Sequence, residues 1–156
     1  MTPTTAKKSL PLDQALLGVL EQVLCDWAFL PADSAGRPGP GPVPLPLEVR
    51  MDLSGDREGC LVLRCSQGFG LKLAQGALGE DQASPDQAAD ALAEICNLVS
   101  KHLAGKVVEK LAASVPIPSR PETWPAAEPD AAAALACGAE AFEARLWFWE
   151  GPEAAK

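Results

Sequence analysis

A carboxylate at Glu94 and a carboxamide at Asn97 stand three residues apart in the stretch DALAEICNLVSK, residues 90–101. Asp90 and Lys101 flank them. The stretch lies inside a run, roughly residues 84–112, whose apolar spacing reads as one amphipathic helix. At about 100° per residue, Glu94, Asn97 and Lys101 fall near 40°, 340° and 20° from Asp90. Four groups in so narrow an arc present acceptors, an amide and an ammonium to whatever approaches that face. Either they act on a partner, as an enzyme or a docking module would, or they are the solvated face that every surface helix has. Asn is a poor helix former. Ala93 and Cys96 are small, and the reading expects them to leave the surface around Glu94 and Asn97 open.

Other chemistries have little material. His102 is the one histidine, and it falls on the flank of the apolar stripe, where a boundary histidine is expected rather than a general base. The five cysteines, Cys25, Cys60, Cys65, Cys96 and Cys137, form no CxxC pair. A metal site would need ligands gathered from scattered places, so the thiols read as reduced, small apolar residues and no metal is expected. Gly68 and Gly70 do not complete a GxGxxG loop, because Leu73 stands where the third glycine would fall. The net charge of −8 and a pI near 4.6 argue against binding nucleic acid. MTPTTAKKSLPLDQ lacks the apolar core of a signal peptide, and charges or prolines interrupt every apolar stretch. A cytoplasmic protein without a membrane span is expected.

The elements that must position the helix can be read in order. Leu16, Val19, Leu20, Val23, Leu24 and Trp27 recur at helical spacing, which predicts a helix over 13–29 with Asp13 as its N-cap and Pro31 beyond its end. Residues 31–46 carry six prolines and three glycines, the composition of an extended connection. Leu47, Val49, Met51 and Leu53 alternate with Glu48, Arg50 and Asp52, predicting a half-exposed strand. After a turn at 54–59, CLVLRC (60–65) reads as a more central strand, paired antiparallel to the first. Gly68 to Leu78 reads as a short helix stopped near Gly79. Ser84 as N-cap and Pro85 at the first helical position open the long helix, whose stripe of Leu92, Ile95, Val99 and Leu103 faces the sheet. Gly105 loosens it, and Val107, Val108 and Leu111 shift its apolar face.

A proline-rich crossing follows, with Val115 and Ile117 in a short edge strand. Two strands, 132–137 and 141–149, close the order. Phe142, Ala144, Leu146 and Phe148 share one face of the last strand; Glu143, Arg145, Trp147 and Trp149 share the other. The sum is an α+β domain, a mainly antiparallel sheet with helices covering one face. It spans residues 12–150, between a flexible N-terminus (1–11) and a C-terminal tail (151–156).

Glu94-Ile95-Cys96-Asn97 resembles the ExxN motif of the CheX/CheC family of chemotaxis phosphatases. GCLVLRCSQGFGLKLAQGALG (59–79) resembles that family's strand and helix before the motif. DALAEICNLVSKHLAGKVVEKL (90–111) resembles the motif helix, and VPIPSRP (115–121) the segment that leaves it. Glu21 is followed by Gln22, Val23 and Leu24, so helix one carries no second motif, and the chain resembles the one-site CheX form. Relatives commonly have a small residue between Glu and Asn, and another one turn later; Cys96 and Lys101 stand there.

The resemblance implies a phosphatase acting on the aspartyl phosphate of a CheY-like response regulator. Asn97 would orient the attacking water and Glu94 would pair with a regulator lysine. Asp90 and Lys101 would contact the same partner. No cofactor of its own is implied, since the Mg²⁺ belongs to the regulator. The resemblance also implies a homodimer, and the apolar outer face at Trp147 and Trp149 puts its contact on the C-terminal strands. The alternative is a non-catalytic docking or dimerisation module of the same fold, which Lys101 favours.

Overall fold

The fold was analysed in a computed structural model, which describes residues 3–36, 44–107 and 109–149. The expected C-terminal tail lies outside the described residues. Seven strands form one antiparallel sheet in the order β1-β6-β7-β3-β2-β4, with β5 also on β2. The strands are β1 (Asp33–Gly36), β2 (Leu47–Gly55), β3 (Glu58–Cys65), β4 (Leu111–Ala113), β5 (Ile117–Pro118), β6 (Ala131–Cys137) and β7 (Glu140–Trp149). Helices α1 (Pro3–Ala28), α2 (Gln67–Leu78) and α3 (Pro85–Leu103) cover one face. This is the α+β architecture the apolar patterns require.

The β2–β3 hairpin sets the register. Leu47 pairs with Cys65 and Leu53 with Gly59, so Val49, Met51, Leu53, Leu61, Leu63 and Cys65 all face the helices. β7 then pairs with β3 and places Phe142, Ala144, Leu146 and Phe148 in the same core. Because side chains alternate along a strand, Cys60, Val62 and Trp147 face the other way.

That second face is covered by the same chain. Residues 119–130 cross it. The Trp124 indole N–H donates to Glu48 Oε2 at 2.9 Å, and Trp147 donates to the Ala127 carbonyl at 2.8 Å. Arg64 and Arg145 lie over the Trp124 ring, with guanidinium carbons 5.3 and 4.5 Å from its centroid. Trp147 is left only 3% exposed. The apolar outer face at Trp147 is therefore covered within the chain itself. Both edges of β7 are also taken, by β3 and β6.

Four local readings need correction. Asp13 is not an N-cap: α1 begins at Pro3, and the buried Asp13 carboxylate accepts from the Ala132 amide at 2.9 Å, tying α1 to β6. The connection after α1 contains β1, whose pairing with β6 is broken by a shift between Ser34 and Gly36. DSAG has no alternation to announce a strand; the exposed edge of β6 makes it one. The turn after β2 is tighter than expected, since β2 runs to Gly55 and β3 starts at Glu58. Finally, α3 ends at Leu103 instead of running on towards 112, because Gly105 turns left-handed at φ 89° and Leu111 joins β4.

Replacing Asp13 by Ala is expected to lower the unfolding free energy by about 1–3 kcal/mol, since it strands a buried amide donor. A urea denaturation curve with an unchanged midpoint would contradict this account of how α1 is held.

Candidate functional site on helix α3

The start of α3 is fixed by its first residues. The Ser84 hydroxyl accepts from the Gln87 amide at 3.1 Å, and the Gln87 side chain accepts from the Ser84 amide at 2.8 Å. This reciprocal cap satisfies two donors that a helix start leaves free. Pro85 needs no partner at the first position. Asp86 in the first turn, and Lys101 and His102 in the last, match the helix dipole.

Rotation about the axis is fixed by burial. Leu92, Ile95, Val99 and Leu103 have no exposed surface, and Ala88, Ala91, Cys96 and Ser100 are buried beside them. Asp90 and Lys101 are exposed, and Glu94 and Asn97 are half-buried on the same solvent side. The four sequence-predicted residues therefore share one accessible face. His102 is half-buried on the flank, as its angle implies.

Cys96 departs from expectation. It faces the core and is fully buried, so it leaves no gap beside Glu94. Burial also drives its thiol well above the ordinary cysteine range. Ala93, half-buried, is the small residue that remains beside Asn97. The residue the sequence reading missed is Ser100. It is buried, and its hydroxyl donates to the Asn97 carbonyl at 2.8 Å, so it braces the backbone under that amide. A small hydroxyl three residues after the Asn was the available signal, since helical neighbours lie three and four apart.

Asp90 and Glu94 also border a hollow of about 250 Å³ between the C-terminal ends of α1 and α2 and the first half of α3. Asn97 does not line it. A cavity of about 970 Å³ lies on the opposite side of the sheet among Trp124, Trp147, Trp149 and the 125–130 segment. Among the described residues no three His, Cys, Asp or Glu side chains gather in a metal-binding arrangement, and no helix is long and apolar enough to cross a membrane.

The sequence profile of the chemotaxis phosphatase CheX matches residues 48–140, well over half the chain and inclusive of the whole of α3. The chain belongs to the CheX family. No curated protein matches it. Among solved structures it is similar to CheX from Vibrio vulnificus, with a TM-score of 0.69 and 16% identity, covering 87% of this chain and 95% of that one. CheX from a Desulfovibrio desulfuricans subspecies has a TM-score of 0.69 and 13% identity, with 90% and 100% covered. CheX of Borrelia burgdorferi, crystallised in a CheX–CheY–BeF₃–Mg²⁺ complex, has a TM-score of 0.63 and 14% identity, with 88% and 97% covered. At such identities these structures establish the fold. In CheX family terms the chain carries one ExxN pair, on α3.

The buried thiols give a test of the core beneath that helix. Burial pushes Cys60 up to about 11 and Cys65 up to about 12, from an ordinary 9.0. Each folded-state value lies above the unfolded one, so the contribution is complete below pH 9.0 and is lost as pH rises through the folded values. Stability should therefore fall with rising pH above about 9. At neutral pH a thiol reagent should label Cys25 and Cys137 readily, while Cys60, Cys65 and Cys96 react only after denaturation. Rapid labelling of Cys96 in the native protein would mean that α3 is turned differently.

Proposed function

We propose that this protein hydrolyses the aspartyl phosphate of a CheY-like response regulator. The supporting observation is the ExxN pair: Glu94 and Asn97 stand side by side on the solvent face of α3, a helix whose other face is locked into the core. That a CheX from Borrelia burgdorferi has been crystallised in a CheX–CheY–BeF₃–Mg²⁺ complex favours a receiver domain as the substrate.

The Asn97 carboxamide enters the regulator's phosphorylation site. Its oxygen accepts a hydrogen bond from a water and aims a lone pair of that water at phosphorus, in line with the aspartyl oxygen. The water oxygen bonds to phosphorus and the bond from phosphorus to the aspartyl oxygen breaks; the bonding pair stays on the aspartyl oxygen as a free carboxylate, and both water protons leave with the phosphate as dihydrogen phosphate. The acyl phosphate is already labile, so positioning is the main contribution required. The role parallels that of the water-orienting glutamine in GTPases. Glu94 pairs with a regulator lysine and fixes the approach, with Asp90 adding negative charge one turn away. Lys101 meets the acidic surround of the phosphorylation site. The chain brings no cofactor; Mg²⁺ comes with the regulator. The cytoplasm, where such regulators act, is the site of action. A homodimer through the C-terminal strands remains a further proposal, resting on the family resemblance now that the chain itself covers Trp147.

Asn97→Ala is expected to lower kcat by about a hundredfold with a small change in KM, since the lost contact acts mainly in the transition state. Glu94→Ala should raise KM about tenfold, and the defect should shrink as salt screens the pair in the wild type. Steady-state phosphate release from a phosphorylated CheY-type receiver measures both. Equal kcat for wild type and Asn97→Ala would remove Asn97 from the mechanism. No release by the wild type would favour the non-catalytic docking module.

A further inference from the structure

The hollow beside Glu94 has a construction that the ExxN chemistry does not use. Its floor is apolar: Trp27 from the end of α1, Ala77 and Leu78 from the end of α2, and Ala91 from α3. Asp90 and Glu94 form its rim. It is held open by backbone contact. A Cβ at Gly76 would run into the Ala28 carbonyl, so α2 sits directly on the end of α1 at that point. With alanines at 77 and 91, no side chain among the described residues fills the space above. Leu78 is 50% exposed at its edge, a large apolar residue left in water.

The charged side chains that line the hollow are both acidic. Asp90 and Glu94 rim it, Asp86 stands one turn earlier on α3, and Glu80 and Asp81 occupy the exposed connection from α2. No lysine, arginine or histidine lines it. An apolar floor under an acidic rim fits an apolar side chain flanked by a cationic one, because each part then meets its complement. The volume, about 250 Å³, suits a single bulky side chain.

We infer that this hollow is the anchor for the response regulator: an apolar residue of the regulator, beside the lysine that pairs with Glu94, seats against Trp27 and Leu78. The inference rests on the reading of α3 as the face offered to a regulator. It divides the labour along one helix. Asp90 lies about 6 Å from Glu94 along the axis, towards the N-terminus, so the anchored residue sits on the side of Glu94 away from Asn97. Grip and chemistry then belong to different side chains, with Glu94 between them. Affinity for the regulator is set in the hollow, while turnover is set at Asn97.

The test uses the full chain and a CheY-type receiver carrying beryllofluoride and Mg²⁺, so that binding is read without hydrolysis. Two variants alter the hollow. Ala77→Phe fills it. Leu78→Lys adds a positive charge at an exposed helix end, where the dipole tolerates a cation; it keeps the test decisive if Ala77→Phe misfolds. Ile117→Lys, at an exposed position on β5, is the control for added charge. Both hollow variants should raise Kd about tenfold or more, as loss of a central anchor does. They should raise KM for the phosphorylated receiver by the same factor and leave kcat at saturation within about twofold. The control should bind as the wild type does. Unchanged Kd in a folded hollow variant, an equal loss in Ile117→Lys, or a fall in kcat with unaltered KM would overturn the inference. Wild-type binding that the hollow variants weaken, without phosphate release, would sustain the anchor and defeat the phosphatase reading. A wild type that binds no phosphorylated receiver would overturn both.

Discussion

Burial of one apolar stripe governs the rest of this structure. Leu92, Ile95, Val99 and Leu103 must leave water together, and α3 packs for this against β2, β3 and β4 of the sheet and against the neighbouring α1 and α2. Burying side chains of this size is worth about 1.5–3 kcal/mol each. A rotation of α3 by one residue, about 100°, would expose part of the stripe and drive polar groups into the core. The direction in which Asn97 points is thus set by leucines and valines on the far side of the helix. Ser100 adds a local brace through the Asn97 carbonyl. The proposed site, two ordinary surface side chains, is held in one orientation because the helix that carries them cannot turn.

The opposite face of the sheet solves a different problem with different means. No helix covers it. A proline-rich segment crosses it instead, held by indole N–H donors, by the Arg50 contact to the Thr123 carbonyl at 2.9 Å, and by arginines over Trp124. Prolines cost this segment little, because extended backbone suits their fixed φ. The helical layer is the side that carries the proposed site. The acidic groups of α3 and of the α2–α3 connection all lie there, whereas the tryptophans that invited a subunit contact lie under the chain's own crossing.

Periodicity and end signals made much of this legible in the sequence. SPDQ announced the start of α3, the alternation in LEVRMDL announced β2, and the ExxN spacing placed four polar groups on one face. What stayed hidden depended on partners distant in sequence. DSAG becomes β1 because β6 has a free edge. Asp13 looked like a cap because an aspartate stands just before the apolar repeat, yet α1 already begins at Pro3 and the carboxylate is spent on Ala132. Cys96 looked like a gap on the surface, but its angle puts it with the leucines. The hollow beside Glu94 was the least visible feature. It needs the ends of three helices to meet, and its only local traces are Gly76 and two alanines.

The central claim is that helix α3 speeds the loss of an acyl phosphate by holding one amide in place. Single-turnover decay of a phosphorylated CheY-type receiver, followed alone and with a saturating excess of this protein, tests it most directly. The account predicts faster decay with the protein present, in one exponential phase. Decay at the receiver's own rate, with the complex demonstrably formed, would contradict it.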